Sequence, residues 1–124
     1  MPVESCAYAA LAGDQPLTPF KYNCKTLGPK DVQIKVMYCG VCHSDIHQAK
    51  NEWGRSNFPM VPGHEVVGIV EEVGKDVTKV KKGEKAGVGC MVGSCRVCEN
   101  CKEGEEQYCL NGMIPTYNGK YQGT

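Results

Sequence analysis

Thiol, imidazole and carboxylate side chains gather in two short stretches of this chain, Cys39-Gly40-Val41-Cys42-His43-Ser44-Asp45-Ile46-His47 and Val61-Pro62-Gly63-His64-Glu65. A borderline-soft ion such as zinc takes that mixture of donors, and a catalytic zinc has three protein ligands and one exchangeable position. Cys42, His64 and Glu65 are the candidates for the three. Read singly, each has a plainer alternative. His64, after Pro-Gly, could be a turn histidine satisfied by backbone, and Glu65 a strand-start carboxylate in water.

A second cluster is denser. Cys95, Cys98, Cys101 and Cys109 have the spacing C-x2-C-x2-C-x7-C, within a loop spanning residues 90–110. Four thiolates on one compact loop make a closed tetrahedral zinc cage with no position left for water or substrate, so the expected role is structural. Such a site also supplies folding free energy to a segment with almost no apolar residues. An iron–sulfur cluster, a redox pair or free thiols are the alternatives. Cys90, just upstream, could compete as a fifth thiol, but is read as a small buried strand residue.

The elements that must position these groups are strands. Residues 1–11 suggest a first strand, broken at Gly13-Asp14-Gln15-Pro16, and a second is expected around Phe20. Residues 32–39 alternate at period two, with Val32, Ile34, Val36 and Tyr38 on one face. That strand delivers the chain to Gly40, and Ser44 is placed to cap a short helix running to Lys50. Residues 51–62 are too punctuated by Gly and Pro for regular structure. The β-branched run Val66–Val73, closed by Gly74, reads as a buried strand. Lys75, Lys79, Lys81, Lys82 and Lys85 read as a solvated edge anchored by Val77 and Val80. Residues 86–92 suggest one further strand, whereas residues 110–124 show no core-forming pattern and read as loop.

Composition narrows the class. A chain of 124 residues suits one domain. Fourteen basic and fourteen acidic side chains leave no global field to recruit nucleic acid or an anionic membrane, so a small neutral substrate is expected. No stretch approaches the roughly 20 apolar residues of a membrane span, and the N-terminus lacks a secretory signal, which points to the cytosol. In a reducing compartment, nine cysteines indicate metal binding or catalysis more than disulfides.

Cys-Gly-Val-Cys-His-Ser-Asp-Ile-His, Pro-Gly-His-Glu-Val-Val-Gly and the four-cysteine loop, in this order, resemble the zinc-dependent medium-chain alcohol dehydrogenases. Lys50-Asn51-Glu52-Trp53-Gly54, Met60–Glu65, Val88-Gly89-Cys90 and Val92-Gly93-Ser94-Cys95 resemble the cinnamyl alcohol dehydrogenase group in particular. The resemblance covers residues 5–124. It implies a mainly β, GroES-like, partly open barrel with short helices, and reversible NADP(H)-dependent oxidation of a primary alcohol to an aldehyde by a homodimer. By the same resemblance Cys42 and His64 match catalytic zinc ligands, and Glu65 an adjacent acid able to swing onto the metal. Ser44 matches the hydroxyl that contacts the alcohol oxygen and His47 the outer imidazole of a proton relay. Asp45 matches a carboxylate that orients His64, and His43 a position near the cofactor pyrophosphate. Trp53 lies near the substrate pocket by this reading, or is a packing anchor.

Family members are about three times as long and carry a Rossmann domain. No G-x-G-x-x-G occurs here, since Gly87-Val88-Gly89 lacks the following helix and acidic partner. The family's second catalytic cysteine is not within these residues either, so the 124 residues alone are expected to be inactive. Gly83-Glu84-Lys85-Ala86 also departs from the family's usual Gly-Asp and β-branched residue. The rival expectations are a non-enzymatic zinc-binding GroES-like module and, on thiol count alone, a redox or metal sensor.

Overall fold

The structure, a computed structural model, describes residues 2–119. It is mainly β, with strands β1 (Glu4–Ala9), β2 (Thr18–Asn23), β3 (Val32–Cys39), β4 (Val66–Val73), β5 (Lys85–Val88), β6 (Met91–Gly93) and β7 (Ile114–Pro115). Two short helices, α1 (His43–Ala49) and α2 (Glu99–Lys102), and a 3-10 turn at Glu106–Tyr108 complete it. The strands form three antiparallel sheets, β1-β2, β3-β4-β5 and β6-β7. Among the described residues these sheets do not close into a barrel, which is the open end of the expected architecture.

One pairing decides where the chemistry sits. β3 runs antiparallel to β4 with Cys39 opposite Val66, and the Gly40 N–H donates to the Glu65 carbonyl at 3.0 Å. The end of one strand therefore lies against the start of the other, and residues 42 and 64, distant in sequence, become neighbours. Gly68 makes this closeness possible: a Cβ there would lie 2.2 Å from the Lys35 carbonyl oxygen. A second tether is the bridge between Ala10 and Met60, with reciprocal hydrogen bonds of 2.9 and 2.8 Å. Ala9, Ala10, Met60 and Val70 are the most deeply buried apolar side chains among the described residues.

Several expectations are corrected. The period-two face of β3 is not kept: residues 35–39 are exposed on both faces, Val36 and Tyr38 at 56% and 75%, and the pairing with β4 shifts register after Gln33 and Val36. The first shift has its extra residue, Glu71, in β4 and the second its extra residue, Met37, in β3. β4 is buried on one face only, through Gly68 and Val70, while Val67 is exposed. The single strand expected over 86–92 is two, broken at Gly89-Cys90, and Cys90 is exposed, not a buried strand residue. The stretch expected to be loop after Leu110 contains β7, which pairs with β6. Its last residues, 120–124, lie outside the described ones. The lysine-rich segment is exposed, with Val77 and Val80 half-buried, as its composition indicates.

Candidate metal centres

Cys42 is the N-cap of α1, where Ser44 was the expected cap. The cap's partner is Asp45, whose Oδ2 accepts from the Cys42 N–H at 2.9 Å, the return half of a capping box. Its other oxygen, Oδ1, accepts from the Gly63 N–H at 3.1 Å and faces His64 Nδ1 at 3.1 Å. Asp45 and His64 are the two buried polar residues among those described. One carboxylate thus fastens the helix start to the Pro-Gly-His turn. With Nδ1 held by Asp45, Nε2 is the His64 nitrogen left for a ligand.

The ligand atoms of Cys42, His64 and Glu65 all lie within 4.8 Å of one another. Gly40 and Gly63 make room for them. A Cβ on Gly40 would stand 2.2 Å from Glu65 Oε2, and Gly63 has φ +127° with Cys39 Sγ 2.9 Å from where its Cβ would be. The hydroxyl of Ser44 donates to Cys42 Sγ at 3.2 Å. That bond, helped by the Ser44 N–H and then His64, holds the Cys42 thiol below its ordinary pKa and favours the thiolate a metal needs.

His47 stands apart from this group. Its Nδ1 pairs with the Glu52 carboxylate, and its ring lies between His43 (centroids 4.5 Å apart) and Trp53 (4.9 Å). Ser44 and His47, the two ends of the expected relay, thus engage different partners in this structure. Glu52 enters the sequence reading only as part of the Lys50–Gly54 resemblance, without a role of its own, although it sits five residues beyond His47. Tyr117 is also missed: its ring stacks on His64 at 4.7 Å and 21°. Beside the group, a cavity of about 430 Å³ is lined by Leu17, Cys39, Val41, Ile46 and Pro62, among others.

The four-cysteine loop closes as its spacing indicates. Cys95, Cys98, Cys101 and Cys109 place their sulfurs within 4.8 Å of one another, and none is in a disulfide. A tetrahedral centre with metal–sulfur distances of about 2.3 Å needs sulfurs about 3.8 Å apart. Cys95 Sγ and Cys101 Sγ are 3.9 Å apart, so the donor set fits zinc. The Asn111 side chain, followed by the N–H groups of Val97 and Cys98, lowers the Cys95 thiol to about 5. The N–H groups of Cys101 and Leu110 lower Cys98. At Cys101 a Ser94 hydrogen bond pulls the pKa down, but burial and the neighbouring thiols Cys98 and Cys109 outweigh it and raise the pKa to about 11.

Among known families, the model described as "Alcohol dehydrogenase GroES-like domain" matches residues 28–124. A probable cinnamyl alcohol dehydrogenase of Pinus taeda is 58% identical over 111 residues, covering 90% of this chain and 31% of that protein. An NADP-dependent alcohol dehydrogenase C 1 of Mycolicibacterium smegmatis is 54% identical over 113 residues, covering 90% and 32%. The solved structure of CAD from Helicobacter pylori complexed with NADP(H) superposes with a TM-score of 0.91 at 45% identity, covering 96% of this chain and 34% of that one. The chain spans about a third of the length of the curated relatives it matches.

Proposed function

Because the chain belongs to the alcohol dehydrogenase GroES-like domain family and resembles its cinnamyl alcohol dehydrogenase group, we propose that it forms the catalytic-domain part of a zinc oxidoreductase. The reaction is the interconversion of a primary aromatic or allylic alcohol and its aldehyde, with hydride exchanged with NADP(H). The observation that carries this reading is the convergence of Cys42, His64 and Glu65 within 4.8 Å. Zinc held there would supply Lewis acidity, which lowers the pKa of an alcohol.

The chain's own groups then have these roles. Asp45 holds His64 in one tautomer and orientation and leaves Nε2 facing the site. Glu65 offers a third, exchangeable donor. Ser44 can turn its hydroxyl from Cys42 onto the alcohol oxygen once that sulfur is engaged elsewhere, because a hydroxyl rotates freely to suit its partners. His47, tied to Glu52, is the outer acceptor of the proton. His43 is assigned to the cofactor pyrophosphate, and Trp53 to the wall beside His47. Cys95, Cys98, Cys101 and Cys109 hold a structural zinc in the single domain formed by residues 1–124. The protein acts in the cytoplasm as a homodimer on small molecules, without nucleic acid or membrane partners. Among the described residues no helix is long and apolar enough to cross a membrane.

One rival has an observation of its own. Only the four-thiol site has a full tetrahedral donor set among the described residues, which suits a non-enzymatic zinc module. Zinc content and turnover separate the two. Two zincs per full-length chain and aldehyde reduction with NADPH, both reduced in Cys42→Ser, support the enzyme; one zinc, no turnover and no effect of Cys42→Ser support the module. The 124 residues purified alone should not turn over, and measurable reduction of an aromatic aldehyde by them would be inconsistent with that.

A further inference from the structure

Asp45 restrains only one edge of the His64 ring, because a ring held through a single nitrogen can still pivot about that bond. Its face is covered by Tyr117, at 4.7 Å and 21°. Tyr117 is itself fixed on both sides. Thr116 donates from its N–H to the Cys90 carbonyl at 3.0 Å and from its hydroxyl to the Gly89 carbonyl at 2.6 Å. Asn118 accepts from the Asn57 N–H at 2.7 Å, donates to the Arg55 carbonyl at 3.1 Å, and takes a bond from the Asn57 side chain at 3.1 Å. The backbone on either side of the ring is thereby fixed.

We infer that Tyr117 is a positioning residue for His64, and that through it the strand pair beside the four-cysteine loop sets the geometry of the Cys42–His64–Glu65 site. β6 runs directly into the cysteine loop, and β7, paired with β6, runs directly into Thr116 and Tyr117. Every link is a backbone pairing, a short hydrogen bond or a ring contact. The inference rests on the reading of Cys42, His64 and Glu65 as metal ligands.

The test loads the full-length protein, its cysteine loop filled with zinc, with cobalt(II) at the second site. It reads the visible spectrum and the affinity by chelator competition for wild type, Tyr117→Phe and Tyr117→Leu. Phe keeps the ring and should hold the affinity within about twofold, whereas Leu should lose about tenfold, as losing support around a ligand typically does, and shift the cobalt bands. A Leu variant matching wild type in both readouts overturns the inference, as does a Phe variant that loses as much as Leu. If Tyr117→Leu also releases zinc from the cysteine loop, Asn118→Gly is read instead. Asn118 has φ +57°, so glycine tolerates its backbone while the clamp is lost. A smaller loss in the same direction supports the inference and no change overturns it. A wild-type protein that takes no cobalt at the second site removes the ligand reading itself, an outcome distinct from either variant result.

Discussion

Asp45→Asn is nearly isosteric, yet it should loosen the site at both ends. The carboxylate accepts from the Cys42 N–H through Oδ2 and meets Gly63 and His64 through Oδ1, in a position 7% exposed. An amide has one acceptor oxygen. Turned toward Gly63 and His64, it points its NH2 at the Cys42 N–H; turned the other way, it presents donors to Gly63. Either orientation leaves a donor facing a donor in a buried place, at about 1–3 kcal/mol. The charge-assisted character of the surviving bonds is lost as well, so the total should be about 2–4 kcal/mol. Denaturant midpoints of the metal-free protein give this term directly. The second effect is on metal: with His64 no longer oriented, affinity at the Cys42 site should fall about 10–100-fold while the four-cysteine loop keeps its zinc. Chelator competition, followed by metal analysis of each fraction, separates the two sites. Stability within about 0.5 kcal/mol of wild type, where inconsequential substitutions fall, together with unchanged affinity, would refute the role given to Asp45.

Gly68→Ala forces a Cβ to within 2.2 Å of the Lys35 carbonyl, so β3 and β4 must separate; unfolding curves should show a loss of about 2–3 kcal/mol. Cys95→Ser should remove the zinc of the cysteine loop, whereas Cys90→Ser, at an exposed position outside the four-sulfur group, should retain it in metal analysis. Asp31 is held below its ordinary pKa of 3.8 chiefly by its hydrogen bond to Lys25. A lowered native pKa means that the stabilisation is complete above the unfolded-state value and is lost as pH falls through the native one. Asp31→Asn should therefore cost about 0.2–1 kcal/mol at pH 7 and flatten the acid limb of a stability–pH curve below about pH 4.

What could be read from the sequence is what depends on residue type and short spacing. Four cysteines within fifteen positions can reach one point on almost any loop path, so Cys95, Cys98, Cys101 and Cys109 declare their cluster without a fold. Cys42 and His64 are harder, being 22 residues apart, yet each lies at the end of a β-branched run, and pairing of those runs brings them together. What escaped depends on register and on contacts without a period. Val32–Tyr38 alternates like a half-buried strand, yet residues 35–39 are exposed on both faces, and nothing in the run marks Met37 as the extra residue opposite β4. β7 is two residues long and contains a proline, too short to show alternation. Glu52 escaped because nothing in a Gly- and Pro-punctuated loop marks which side chain will turn back to His47.

The same distinction separates the two candidate metal centres physically. The four-cysteine loop collects its donors from one continuous segment, so zinc bound there would couple directly to local folding. The Cys42 group draws on a helix cap and a pre-strand turn, and Asp45 reaches into both. Its geometry is therefore assembled by the fold before any ion arrives, through the β3–β4 pairing, Gly40, Gly63 and Asp45. Chelation should consequently affect the two unequally. Removing zinc from Cys95, Cys98, Cys101 and Cys109 should speed amide exchange across the loop from residue 94 to 111, because apart from Cys101 and Cys109 none of its apolar side chains is buried. Emptying the Cys42 site should leave exchange in β3 and β4 unchanged, since their ladder does not depend on the ion. Hydrogen exchange measured before and after chelation reads both segments in one sample, and equal loss of protection in the two would contradict this account.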